Sequence, residues 1–85
     1  MIMLWMKVKA RLKKKLLKTL GQRIRGFRNK LGISQETLAF QIGVDRTYIG
    51  AIEQGLRSPS IYCLYVLSKA RNISLKDLAE IDIVE

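Results

Sequence analysis

Residues 35–54, QETLAFQIGVDRTYIGAIEQ, constrain the fold of this chain more than any other stretch. Leu38, Ala39 and Ile42 form one apolar stripe, at spacings i, i+1 and i+4, which predicts a short amphipathic helix. Ala39 is small enough to let a second helix cross the first at a steep angle. Gly43 follows the stripe and can leave a helix with a positive φ. The pattern therefore predicts a helix that ends in a tight turn.

A second short helix follows this turn. Asp45 offers a side-chain oxygen that can cap its first turn, and Ile49 and Ile52, three residues apart, supply its inward face. The outward positions of this helix, none of them acidic, are Arg46, Thr47, Tyr48, Gly50, Ala51 and Gln54. Two short helices joined at this spacing are typical of a helix-turn-helix motif.

Apolar stripes on both sides of the motif predict three further helices and an all-α fold. The inward positions are Leu20, Ile24, Phe27 and Leu31 in helix 1, Ile61, Leu64, Leu67 and Ala70 in helix 4, and Leu75, Leu78 and Ile81 in helix 5. Serines before the stripes predict helix caps, namely Ser34 for helix 2, Ser58 or Ser60 for helix 4, and Ser74 for helix 5. Asn72 closes helix 4.

The chain has 85 residues, the size of one small domain. Its single cysteine, Cys63, excludes an intramolecular disulfide, and the sequence contains no histidine. We therefore expect no metal site, no cofactor and no His-based catalysis. The sequence offers no nucleophile–base pair and no phosphate-binding loop, so we do not expect an enzyme. The cysteine usage predicts a cytoplasmic protein.

A net charge of +9 favours a polyanionic partner, nucleic acid first and an anionic membrane second. The charge is unevenly placed along the chain. Residues 1–18 carry seven basic and no acidic residues, whereas residues 19–85 carry nine basic and seven acidic residues. This contrast predicts a basic N-terminal arm, residues 1–18, followed by a helix-turn-helix domain, residues 19–85. Gly21 is a candidate for a break between them.

The arm admits three interpretations. Val8, Leu12 and Leu16 are spaced by four residues, so the arm can form an amphipathic helix. The three interpretations are a frayed or partly helical extension, an arm that follows the DNA backbone, and a helix that lies on a membrane surface. The apolar run at residues 1–6 is too short to span a bilayer. We expect no membrane partner, and the membrane-surface helix is the alternative.

The motif resembles the phage-repressor (Cro/repressor, XRE-like) family of DNA-binding domains. Eight positions fit that family together, namely Gln35, Leu38, Ala39, Ile42, Gly43, Val44, Ile49 and Ile52. The run DRTYI at Asp45–Ile49 is especially similar to controller proteins of restriction–modification systems. Residues 20–81 resemble the compact five-helix, lambda-repressor-like domain of this family, which implies that fold here. Two positions depart from the family pattern, with Ser68 in place of alanine and Arg71 in place of leucine.

A helix that enters the major groove presents its N-terminal residues to base edges. Here these are Arg46 and Thr47, with Ala51 one turn later. Arg46 can pair with guanine O6 and N7, or it can contact a phosphate instead. Thr47 can donate a hydrogen bond to a base or contact a thymine methyl group, and Ala51 can make only an apolar contact.

Four residues are candidates for the DNA backbone. Gln35, first in helix 2, resembles the phosphate-clamping glutamine of the family, and Ser34 and Arg57 are further candidates. Tyr48 can reach a phosphate through its hydroxyl group or touch a base or sugar. Alternatively, its ring covers the junction of helices 2 and 3.

The family pairs an arginine and a glutamate across helices 1 and 3 at positions that match Arg28 and Glu53. The resemblance therefore implies a partly buried structural salt bridge that fixes the recognition helix. The alternative is two independent, solvated charges.

These features predict a sequence-specific regulator of transcription that binds double-stranded DNA. A single reading helix buries little surface, so we expect a homodimer on a two-fold symmetric operator. Apolar or aromatic residues available for that interface are Tyr62, Tyr65, Val66, Leu75, Ile81, Ile83 and Val84. The closer resemblance suggests autoregulation of a restriction–modification operon. The alternative is an antitoxin-like or other protein-interaction module with the same fold.

Overall fold

A computed structural model describes residues 2–72, 74–78 and 80–81. This part of the chain contains five helices and no strand. The helices are α1 (Ile2–Leu31), α2 (Gln35–Ile42), α3 (Arg46–Glu53), α4 (Ile61–Arg71) and α5 (Leu75–Leu78). The predicted all-α, five-helix class is therefore confirmed.

One apolar core joins all five helices. Its buried members are Leu20, Ile24, Leu38, Ala39, Ile42, Ile49, Ile52, Cys63, Leu64, Leu67 and Leu78. Every apolar position predicted from residues 35–54 to face inward belongs to this cluster. The core holds α3 between α1 and α2, so its inner face is fixed and its outer face is presented to solvent.

The turn between α2 and α3 forms as the sequence predicts, with one difference. Ser34 caps α2, because its Oγ accepts a hydrogen bond from the Thr37 amide. Gly43 ends α2 in the left-handed region, at φ 84°, where glycine carries no steric penalty. Asp45 occupies the cap position of α3 but makes no side-chain cap bond. The Tyr48 amide that such a bond would use is already donated to the Asp45 carbonyl, at 3.0 Å.

Helices α4 and α5 begin at serine caps. The Cys63 amide donates to Ser60 Oγ, and the Asp77 amide donates to Ser74 Oγ, both at 3.0 Å. Ser60 rather than Ser58 therefore caps α4. Asn72 ends α4 with a positive φ of 56°.

The expected inward face of α4 is partly wrong. Ile61 and Ala70 are exposed, whereas Cys63 and Ser68 are buried beside Leu67. The buried face instead consists of Cys63, Leu64, Leu67 and Ser68, at spacings i, i+1, i+4 and i+5. Ser68 is tolerated there since its hydroxyl group donates to the Tyr65 carbonyl at 2.7 Å.

Helix α1 runs through residue 21 without interruption. Gly21 therefore does not break the helix, and it is itself buried against α3. A β-carbon at this position would collide with the Ile52 carbonyl oxygen and lie 2.9 Å from that of Glu53. Glycine lets the backbones of α1 and α3 approach this closely. The division into an arm and a domain remains a prediction, since both share one helix.

Candidate nucleic-acid interface

A shallow cavity of about 300 Å³ lies along the outer face of α3. Its lining, which we call the α3 groove, consists of Gln35, Arg46, Thr47, Gly50, Ala51, Gln54 and Leu56. The lining includes no acidic side chain and combines a cation with amide, hydroxyl and apolar groups. Such a mixture can contact phosphates, base edges and thymine methyl groups.

The three predicted base-reading residues lie together in the α3 groove. Arg46 and Thr47 occupy the first turn of α3 and are exposed, and Ala51 lies one turn later and is half-buried. Their side chains project from one side of the helix because Ile49 and Ile52 occupy the other side and are held in the core. The packing of α3 thus determines which residues a ligand can meet.

Gln35 connects the α3 groove to the interior. Its Nε2 donates a hydrogen bond to Glu53 Oε1 at 3.0 Å. A β-carbon on Gly50 would lie 3.7 Å from Gln35 Oε1, so the glycine leaves room above the amide. Gln35 is the first residue of α2, where unpaired backbone amides also favour an anion.

Arg28 and Glu53 form the ion pair that the resemblance implies. Arg28 Nε donates to Glu53 Oε2 at 2.6 Å, and Arg28 Nη2 donates to Glu53 Oε1 at 3.1 Å. The two side chains are 11% and 2% exposed. The hydrogen bond to Glu53 raises the pKa of Arg28 above its ordinary value. Arg28 Nη1 also donates to the Ile33 carbonyl, so the pair fixes α1, α3 and the start of α2 together.

The other predicted backbone residues lie outside the α3 groove. Ser34 Oγ is engaged within α2, since it also donates to Thr37 Oγ1 at 3.0 Å. The Tyr48 hydroxyl group accepts from the Ser60 amide at 3.0 Å and donates to the Ser58 carbonyl at 3.4 Å. Arg57 lies over the Tyr48 ring, 5.0 Å from its centroid. The Tyr48 side chain thus supports the α3–α4 loop through its hydroxyl group, while its partly buried ring packs against the core.

Two residues that the sequence does not single out contribute to the α3 groove or to the packing of the helices. Leu56, in the loop after α3, lines the α3 groove while 71% exposed. Its position follows from a bond between its amide and the Ala51 carbonyl, which no periodicity shows. The sequence carries no signal for Arg23, whose guanidinium donates to the Leu78 and Asp77 carbonyls and so ties α1 to the end of α5.

Two kinds of site are absent from the part of the chain that the structure describes. No group of three or more histidine, cysteine, aspartate or glutamate side chains is arranged to hold a metal ion. None of the helices seen there combines the length and apolar character that crossing a membrane requires.

Comparisons with known proteins agree with this geometry. The helix-turn-helix family matches residues 24–78. Control protein C.BamHI of Bacillus amyloliquefaciens is 43% identical over 61 residues, which cover 71% of this chain and 75% of that protein. Control protein C.SmaI of Serratia marcescens is 41% identical over 59 residues, covering 69% and 70%.

A solved structure of a controller protein is also similar to this chain. The crystal structure of the restriction–modification controller protein C.AhdI from Aeromonas hydrophila matches with a TM-score of 0.66 and 44% identity. The match covers 73% of this chain and 90% of that one. Fold, motif and relatives agree, and they indicate regulators that bind DNA rather than enzymes. This chain belongs to the helix-turn-helix, XRE-like family of DNA-binding transcriptional regulators.

Proposed function

We propose that this protein recognises a specific double-stranded DNA sequence through the α3 groove and regulates its own operon. The observation that carries the proposal is the position of Arg46, Thr47 and Ala51 along one cavity of about 300 Å³ with no acidic lining residue. Helix α3 is short, and its inner face is fully packed, so the whole helix can enter a major groove as a rigid unit.

Each lining residue has a chemical role in this proposal. Arg46 donates two hydrogen bonds to guanine O6 and N7, and Thr47 donates to a base or contacts a thymine methyl group. Ala51 makes an apolar contact with thymine. Gln35 holds a phosphate with its free amide hydrogen and the N-terminus of α2. Ser34, Tyr48 and Arg57 are secondary backbone contacts, since the hydroxyl groups of the first two are engaged within the protein.

A homodimer on a two-fold symmetric operator fits this surface. One short helix contacts few base pairs, and a two-fold dimer doubles the site, with half-site centres about 34 Å apart. Exposed apolar side chains on α4 are available for the interface, with Ile61, Tyr62 and Tyr65 being 68%, 64% and 50% exposed. Val66, Leu75 and Ile81 pack against the core instead. Ile83 and Val84, also predicted for the interface, lie outside the described residues.

The relatives support the regulatory context. C.BamHI and C.SmaI are named control proteins, and C.AhdI is a restriction–modification controller protein. We therefore assign this chain to the control of a restriction–modification operon that includes its own gene, a role carried out in the cytoplasm.

Binding to the DNA upstream of its own gene tests the proposal. The protein should prefer that duplex to a shuffled duplex by about a thousandfold or more, because specific binding typically exceeds nonspecific binding by that margin. The preference should be measured across a salt series. Equal affinities that fall identically with salt would contradict the proposal, because counterion release alone then accounts for binding.

A matched pair of arginine variants sharpens this test. Arg46→Ala should lose most of the preference for the upstream duplex over the shuffled duplex. Arg25 is an exposed arginine on α1, and Arg25→Ala, which makes the same change in charge, should retain this preference. If both variants lower the affinity for the two duplexes equally, Arg46 contacts a phosphate and reads no base.

The exposed face of α4 also favours a second candidate, an antitoxin-like or other protein-interaction module. Ile61, Tyr62 and Tyr65 would then cover a partner protein instead of a second copy. Light scattering at increasing concentration distinguishes the two. A dimer that dissociates in Tyr65→Glu supports the regulator, and a monomer at all concentrations that also lacks DNA preference supports the interaction module.

A further inference from the structure

The apolar stripe that packs α1 against α3 continues beyond the domain. Leu20 and Ile24 are buried at its C-terminal end. Leu16, Leu12 and Val8 precede them at intervals of four residues, so they continue the same helix face. Leu16 is already 42% exposed, and none of the three belongs to the buried core.

The first turns of α1 expose still more apolar surface. Five consecutive residues, Ile2, Met3, Leu4, Trp5 and Met6, are between 58% and 74% exposed. Trp5 continues the stripe of Val8 and Leu12 by helical spacing. A contiguous exposed apolar surface of this kind marks an interaction site in a folded protein.

The opposite side of the same helix is basic. Lys7, Arg11, Lys14 and Lys18 follow one another at spacings of three and four residues and so share a face. Helix α1 contains eleven basic residues and no acidic residue. Its N-terminal half therefore combines a cationic face with an apolar stripe, in which Lys9 is the one basic position, four residues after Trp5 and three before Leu12.

Three partners can be weighed against this pattern. A second copy of the helix would bring two sets of seven basic residues close together, and residues 1–18 of neither copy contain an acidic residue. DNA would use the cations but leave the apolar stripe and tip in water. An anionic phospholipid surface uses both, since headgroups attract the lysines and the interface takes up tryptophan and leucine side chains.

We propose that residues 2–18 of α1 bind the surface of an anionic phospholipid membrane, lying in its interfacial layer without crossing it. The domain would stay in water, because the packed part of α1 begins where the backbone at Lys18 approaches Gly55 and Leu20 enters the core. This is a second binding activity, separate from the α3 groove.

Trp5 is the only tryptophan of the chain, and so it reports directly on this contact. Its fluorescence should shift to shorter wavelength when the full-length protein is mixed with vesicles of phosphatidylcholine and phosphatidylglycerol. Vesicles of phosphatidylcholine alone should give no shift. A random-sequence duplex without vesicles should also give none. A shift with the duplex at equal charge would overturn the proposal in favour of an arm on the DNA backbone.

Vesicle cosedimentation of variants separates apolar from ionic contributions. Leu12→Gln with Leu16→Gln keeps the net charge and should reduce binding to anionic vesicles by tenfold or more. Phe40→Ser is the control, because Phe40 is an 86% exposed apolar residue of α2, outside residues 2–18, and its replacement should leave vesicle binding unchanged. Circular dichroism checks that each variant is folded. If the double variant binds vesicles as the parent does, the apolar face takes no part and the proposal is wrong.

Discussion

The Glu53 carboxylate joins three helices. It accepts two hydrogen bonds from Arg28 of α1, at 2.6 and 3.1 Å, and one from Gln35 of α2, at 3.0 Å, while itself belonging to α3. Gln35 lines the α3 groove, so one buried side chain connects the packing of the domain to the face proposed to contact DNA. Because the hydrogen bond to Glu53 raises the pKa of Arg28, the guanidinium stays charged well above neutral pH, and the pair loses its cation only in strongly alkaline solution.

Replacing Glu53 by alanine should destabilise the protein by about 3 kcal/mol. The substitution leaves the Arg28 guanidinium largely buried with the Ile33 carbonyl as its remaining acceptor, and loss of one partner of a buried pair typically costs that much. Urea unfolding followed by circular dichroism measures the change. Glu80→Ala, an exposed carboxylate, is the control and should stay within about 0.5 kcal/mol of the parent. If Glu53→Ala unfolds like the parent, the pair is energetically unimportant.

Two glycines of α1 should respond in opposite directions to alanine. Gly21→Ala should destabilise by about 1–3 kcal/mol, because the added carbon collides with backbone oxygens of α3. Gly26→Ala should stabilise by about 0.5–1 kcal/mol, since nothing lies within 4 Å and alanine favours the helix. Thermal unfolding of both variants checks this, and equal shifts would show that α1 and α3 are not in close contact.

Gly50→Ala should separate stability from DNA binding. Its added carbon meets Gln35 at an ordinary contact distance of 3.7 Å, so the helix gains about 0.5–1 kcal/mol. The same carbon fills part of the α3 groove, and affinity for the operator should fall. Gly26→Ala provides the control, with similar stabilisation and unchanged affinity. Unchanged operator affinity in Gly50→Ala would mean that DNA does not approach α3 at this point.

Tyr48→Phe should cost about 1 kcal/mol of stability, because the Ser60 amide and Ser58 carbonyl both lose a partner. Tyr62→Phe, on an exposed ring, should have almost no effect. The affinity of Tyr48→Phe for the operator shows whether the Tyr48 hydroxyl group also contacts DNA. An affinity loss that exceeds the loss for the shuffled duplex indicates a base contact, and an equal loss indicates a phosphate contact.

Cys63 should resist thiol reagents until the protein opens. Its side chain is 2% exposed, and burial raises the pKa of the thiol, so little thiolate forms and reagents cannot reach it. Labelling should be slower in the native than in the denatured protein by on the order of a hundredfold, equivalent to an opening free energy of about 3 kcal/mol. The raised pKa also predicts that stability falls as the pH increases through the alkaline range. Rapid labelling of the folded protein would place Cys63 at the surface.

The sequence predicts the helix-turn-helix itself in detail, because local signals there agree with tertiary packing. Gly43 has the positive φ its position requires, and Ile49 and Ile52 are buried as their spacing indicates. The base-reading candidates follow from the burial of Ile49 and Ile52, since the residues of α3 that do not face the core form its outward face.

Features that depend on distant contacts were not predictable in the same way. The glycine at residue 21 is unfavourable in a helix on propensity alone, and only its proximity to α3 explains it. The orientation of α4 that buries Ser68 and exposes Ile61 depends on how the helix packs on the core. Leu56 enters the α3 groove through a backbone bond to Ala51, for which the sequence carries no pattern.

The continuity of α1 has a mechanical consequence. A flexible tether would let the tip at Trp5 and the recognition helix sample many separations, but one uninterrupted helix behaves as a rod, with about 1.5 Å of rise per residue. The tip is therefore held some 22 Å from Leu20 along a direction that the core determines. A surface that binds the tip therefore also sets the orientation of α3, because the tip and α3 are held by the same helix. The tip and the α3 groove cannot rotate independently of each other.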